Sequence, residues 1–187
     1  MDKYKLTGET KNYQGKTLYR IQALKSFSNV NKGDLGGWVE SESNLSQADN
    51  CWVYDDAAVI NRATVKGNAV VGNNATVSDQ AVVGDNAIVA WYATVSGNAM
   101  VIGYAVVSGY ATIIGYATVS GNATVSGNAN VSDKAMVCGN AMVGWDATVR
   151  GDAVVSGQAV IGDNTTVSGN SKISGKATFD SEIMLNN

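Results

Sequence analysis

From Val53 onward the chain repeats every six residues, and this period limits the folds open to it more than any other feature. A typical unit is Val119-Ser120-Gly121-Asn122-Ala123-Thr124. The first position is Val or Ile at all 21 sites from Val53 to Ile173, and the fifth is Ala at all 18 sites from Ala57 to Ala159, followed by Thr165, Ser171 and Ala177. No residue is inserted or deleted between Val53 and Leu185. A period of six matches neither a 3.6-residue helix nor a long alternating strand. It matches a very short strand and a tight turn. In Ala-Thr-Val, positions five and one share a face because strand side chains alternate, so Ala and Val point in and the sixth residue points out. Positions two to four make the corner, where Gly, Asn and Asp suit a turn. Such a unit cannot bury its own apolar face and must stack on copies of itself, which makes a solenoid.

The pattern of aliphatic, any, any, any, small, any, as in Ile161-Gly162-Asp163-Asn164-Thr165-Thr166, resembles that of the hexapeptide-repeat proteins. The resemblance implies an all-β fold, a left-handed parallel β-helix with three hexads per triangular coil. The left hand comes from the resemblance alone, since crossover connections otherwise favour the right. The triangle has separate support: Thr76, Thr94, Thr112, Thr148 and Thr166 lie on one 18-residue track, and Trp91 and Trp145 differ by three such steps. Residues 53–187 then give about seven coils, a prism roughly 35 Å long at ~4.8 Å per stacked strand.

Residues 1–52 lack the hexad and hold 13 charged residues against 16 in the remaining 135, so they are expected to form an N-terminal β cap. Tyr4–Leu6, Thr17–Leu24 and Gly37–Glu40 read as its strands. Gly33–Gly37 reads as a turn in the cap, because it lacks the Gly-Lys-Ser/Thr ending of a phosphate loop. At the other end Phe179, Ile183 and Leu185 are expected to plug the bore. Tyr4-Lys5-Leu6, Ile21-Gln22-Ala23-Leu24, Gly33–Glu40, Leu45-Ser46 and Asn50–Tyr54 resemble the start of a hexapeptide-repeat family of bacteria, prophages and phages that is often labelled transferase. That label follows the fold, and fold does not fix function.

The chain has no histidine, which removes imidazole bases and His-ligated metals, including the three-His carbonic-anhydrase branch of the superfamily. Acyltransferases with these coils usually carry a catalytic His and a loop excursion, and neither is present. No catalytic residue, metal ligand or cofactor is expected; an acyltransferase would need a non-His base. Cys138 is expected to face outward and Cys51 to be buried, nearly five coils apart and too far to bridge. The corner aspartates read as turn chemistry rather than a Ca²⁺ site. Outward Thr-x-Ser pairs resemble an ice-binding ladder, but Ile114, Asn130 and Arg150 break it. Net charge is −3, which argues against a nucleic-acid groove. No run of ~20 apolar residues is present and the opening is polar, so neither a membrane span nor a signal peptide is expected, and a cytoplasmic location fits.

The strongest surface signal is a stretch of 47 residues, Asn86 to Ser132, without one Asp, Glu, Lys or Arg. In the hexad register Trp91, Tyr92, Met100, Ile102, Tyr104, Val106, Tyr110, Ile114 and Tyr116 fall there in outward or corner positions. An apolar aromatic belt cleared of charge has the composition of a protein interface core. The expectation is a non-catalytic interaction solenoid that forms a homo-oligomer and binds a protein, with the phage resemblance pointing to a host factor. The alternatives are an acyltransferase-like enzyme with an unusual base, or a protein that sequesters a small molecule of unknown kind between subunits.

Overall fold

The computed structural model describes residues 2–181 and 184–186. Each hexad forms a two-residue strand at positions six and one, as in Thr94–Val95. Each strand pairs in parallel with the strands 18 residues before and after it. Thr94 lies between Thr76 and Thr112, Met100 between Val82 and Thr118, and Ile88 between Val70 and Val106. Three consecutive hexads therefore make one turn with three faces, and the faces form sheets of eleven, eight and seven strands. The ladder is regular: the amide of Thr94 donates to the carbonyl of Ala111, and that of Met100 to Ala117, both at 2.9 Å.

The bore is filled as the hexad requires. Val or Ile at position one and Ala at position five are fully buried from Val53 to Ala159. Each buried Val contributes about 1.5–3 kcal/mol before chain entropy is subtracted. The corners are built at position three, where the backbone is left-handed in almost every coil. Gly97, Gly103 and Gly109 hold φ of 72°, 75° and 71°, and Asp79 and Asp85 hold 60° and 56°. Aspartate serves there because its carboxylate caps the next corner. Asp79 Oδ2 accepts from the Gly97 amide at 2.9 Å, and Asp133 Oδ2 from Gly151 at 2.9 Å. At position four of one corner the asparagines form a side-chain ladder, Asn50 to Asn68 to Asn86, at 3.1 Å per step.

The N-terminal segment departs from its sequence reading in three ways. Strand β1 (Tyr4–Tyr13) runs well past Leu6 and pairs antiparallel with β2 (Lys16–Ala23). Its second half is polar and carries no hydrophobic signal; the hairpin turn at Gln14 (φ 51°) and Gly15 (φ 80°) sets its register. Tyr13 and Leu18 then lie over Trp38, Ala58 and Ile60, and the Tyr13 hydroxyl pairs with Thr76 Oγ1 at 3.2 Å.

Second, Gly36 and Gly37 lie not in a turn but inside β3 (Leu35–Val39). Their role is close approach: a Cβ on Gly36 would sit 2.6 Å from Ile21 and 2.7 Å from Trp52, and one on Gly37 2.6 Å from Val53. Third, parallel stacking begins before Val53. Val39 pairs with Val59 and Leu45 bridges to Val65, both 20 residues on, whereas Val53 pairs with Val71 after 18. Two extra residues between Leu45 and Val53 hide this first turn from the hexad. With it the solenoid has about eight turns rather than seven.

The first turn is closed by Tyr4, Phe27 and Trp52, whose rings meet edge to face. Lys3 is fully buried beneath them and donates from Nζ to the Cys51 carbonyl at 2.9 Å, Ala48 at 3.2 Å and Cys51 Sγ at 3.2 Å. At the far end Phe179 and Leu185 pack against the bore as partly buried groups. Thr165 Oγ1 donates to the Ser181 carbonyl at 2.7 Å and Ser171 Oγ to Leu185 at 3.2 Å, so these polar replacements for Ala find partners. Ile183 lies outside the described residues.

Candidate functional site

The belt residues are all partly or fully exposed, but the coil distributes them around the prism. Trp91, Tyr92 and Tyr110 share one corner, and Val106 lies on the face that leads into it. Met100 lies on a second face, and Ile102 and Tyr104 at the corner between it and the Val106 face. Ile114 and Tyr116 occupy the third corner. The first group continues into apolar Ile88 and Met142 on the adjoining face, and Met100 of the second lies beside Val82.

That corner can be built from its sequence. Position three reads Asp55, Asn73, Trp91, Gly109, Gly127, Trp145, Asp163 along successive coils; position four reads Asp56, Asn74, Tyr92, Tyr110, Asn128, Asp146, Asn164. Position three is left-handed, and both tryptophans adopt it, Trp91 at φ 64° and Trp145 at φ 54°. A bulky side chain there costs about 1–2 kcal/mol, which Gly, Asn and Asp largely escape. In return, both indoles stay in solvent, 59% and 60% exposed. Burial does not account for such a choice. Tyr92 and Tyr110 stack with ring centroids 4.9 Å apart and planes 5° from parallel, because one coil step matches a ring-stacking distance.

The second half of the corner is hollow. Ser126, Gly127, Met142, Val143, Gly144 and Trp145 line an open groove of about 190 Å³. The Trp145 ring is held against Gly162, where a Cβ would lie 3.0 Å from its Cε3. The adjoining face presents Val70, Ile88, Val106, Thr124, Met142 and Val160 outward, and five of these six are apolar. Position two beside them is small, as at Gly72, Ala90, Ser108 and Gly144, so the face is flat. Met142 and Trp145 lie beyond the charge-free stretch and so escape a search for missing charge. The signal that finds Trp145 is its distance from Trp91, three coils along one corner.

The remaining chemistry gathers at the N-terminal end. Burial pushes the Lys3 ammonium below its ordinary range and the Cys51 thiol above its own, while each opposes the shift of the other. Glu40 is held below the usual carboxylate range by Lys16, whose Nζ donates to it at 2.7 Å, and by the Asn61 amide at 2.6 Å. Cys51 is buried, Cys138 is half-exposed, and both thiols are free. Among the described residues no three His, Cys, Asp or Glu side chains cluster as metal ligands, and no helix is long and apolar enough to cross a membrane.

Two comparisons bear on identity. A family model described as the YdcK β-solenoid repeat matches residues 93–109 and 117–133. The protein named uncharacterized acetyltransferase YdcK of Escherichia coli (strain K12) is 36% identical over 77 residues, which cover 36% of this chain and 24% of the relative. The matched part is thus about a quarter of that protein's length. Both family-model segments fall in the central coils; the first holds Met100, Ile102, Tyr104 and Val106 of the belt, and neither holds Trp91, Tyr92, Tyr110, Ile114 or Tyr116. The hexad, the three-faced parallel solenoid and both matches fit a hexapeptide-repeat family that carries transferase labels.

Proposed function

We propose that this chain is a non-catalytic interaction solenoid that self-associates through its aromatic corner and the flat apolar face beside it. The observation that carries the reading is the pair Trp91 and Trp145, held in a left-handed conformation where the rest of the track uses Gly, Asn or Asp. Backbone strain that leaves a large apolar ring in solvent is a mark of a functional surface. Two free thiols fit a reducing compartment, and the reading places the protein in the cytoplasm. Sedimentation velocity across a concentration series tests it. The native chain should show a mass above 19.4 kDa that falls on dilution, and Tyr92→Asn with Tyr110→Asn should shift association at least tenfold. A native mass of 19.4 kDa up to about 100 μM would overturn it.

A second reading is acetyl transfer, supported by the printed name of the relative. The Trp145 groove would take the acyl donor, and Asp146, the next residue on that corner, would serve as base. Turnover of acetyl-CoA with an amine or hydroxyl acceptor, abolished by Asp146→Asn, would favour it over the first reading.

A further inference from the structure

The corner is a near-palindrome, and this deepens the self-association reading, on which it rests. Counting from a point between Gly109 and Gly127, Trp91 and Trp145 stand at equal distances on either side, and Asn73 and Asp163 stand one step beyond them. On the N-terminal side of that point the corner bulges with the stacked Tyr92 and Tyr110. On the C-terminal side it is hollow, with the groove bounded by Met142 and Trp145. A two-fold axis through the centre lays bulge on hollow twice.

We infer that two copies of this chain pack antiparallel along this corner and its apolar face, with the Tyr92–Tyr110 stack of each copy seated in the groove beside the partner's Trp145.

Two observations point to a second copy and a third sets its direction. A straight ladder with a rise of ~4.8 Å per coil is matched along its length by a surface of the same rise, and this chain supplies one. On the face, the axis sets Ile88 against the partner's Met142 and Val70 against the partner's Val160, apolar on apolar, with Val106 against the partner's Thr124 at the centre. Charge decides the direction. A parallel, in-register pair would set Asp55, Asp146 and Asp163 each against its own copy, and like charges across an interface are costly. The antiparallel pair sets Asp163 beside the partner's Asn73 and Asp146 beside the partner's Tyr92, whose hydroxyl can donate to a carboxylate. From Asp55 to Asp163 the corner spans six coil steps, about 29 Å, and a strip about 20 Å wide over that length covers roughly 600 Å² per copy. This is below the ~800 Å² of a standard interface, so the dimer should dissociate on dilution.

Spin-label distances in the Cys138→Ser background test the geometry; Cys51 is buried and does not compete for label. Asn74 and Asn164 are exposed and lie five coil steps apart on this corner. In the antiparallel dimer, Asn74→Cys measured against itself, and Asn164→Cys against itself, should each give at least ~24 Å, five steps of ~4.8 Å. A mixture of the two variants should add a new population under about 15 Å. Short distances in each single variant, with none added by mixing, would mean a parallel pair and overturn this inference while leaving self-association standing. A trimer by mass would do the same. A monomer at every concentration would overturn both.

Discussion

The bore and the corner are made by the same hexad, yet they obey different rules. Inside, coil after coil is the same: Val or Ile with Ala, fully buried, with backbone bonds of 2.9 Å. Outside, one corner holds aspartate, asparagine, tryptophan and glycine at equivalent positions of successive coils. The bore is uniform because each layer packs on the next, and a change in one is felt by its neighbours. The corner is free to vary because its backbone conformation is set by the coil, and the side chain only has to tolerate it. Departure from the repeat is therefore rare inside, confined to the last coils as at Thr165 and Ser171, and frequent outside. Where it also costs backbone energy, as at Trp91 and Trp145, it is the basis of the proposed contact surface.

The contrast can be broken most strongly from within. Ala123 is fully buried, and Ala123→Leu should overpack its coil and cost about 1–3 kcal/mol in urea unfolding. An unchanged midpoint would mean that the bore has slack. At the corner, backbone rather than volume should limit change. Gly109 holds φ 71°, and a Cβ there would lie 2.7 Å from the Gly127 carbonyl, so Gly109→Ala should cost about 1–2 kcal/mol although the site faces solvent. Tolerance of alanine there would undo the claim that Trp91 is strained.

The smallest effect lies at the first turn, where Glu40 ties β2 to the next coil through Lys16 and Asn61. Its folded pKa is lowered from 4.5, so its stabilisation is fully present above pH 4.5 and is lost as pH falls through the lower folded value. Glu40→Gln should weaken the native protein at neutral pH and flatten its stability profile in that acidic window. Parallel acid-titration curves for the two proteins would contradict the pairing.

Much of the fold was legible because a six-residue period leaves few alternatives. The inward Val and Ala, the Thr track on one face and the burial of Cys51 all follow from register alone. The first turn was not legible, because two residues inserted before Val53 break that register and Leu45 stands where a Val would be recognised. Gly36 and Gly37 read as a turn because glycine usually signals one; their reason is contact with Ile21, Trp52 and Val53, which sequence does not display. The belt was legible as a list of exposed residues but not as a site. Stretches that lack charge are found along the chain, whereas a corner is assembled from every eighteenth residue. The 18-residue step already puts Trp145 on the track of Trp91 and Tyr92 on that of Tyr110; the groove between Met142 and Trp145 emerges only once the coil is closed.

The central claim is that bore and corner are separable, one holding the fold and the other holding a partner. The most direct test is urea unfolding of the triple variant Trp91→Asn, Tyr92→Asn, Tyr110→Asn beside the native chain, both kept dilute enough to be monomeric. The account predicts stabilities within about 1 kcal/mol of each other, since relief of strain at Trp91 offsets the lost ring stack. A loss as large as that of Ala123→Leu would show that the aromatic corner is part of the fold, and would contradict it.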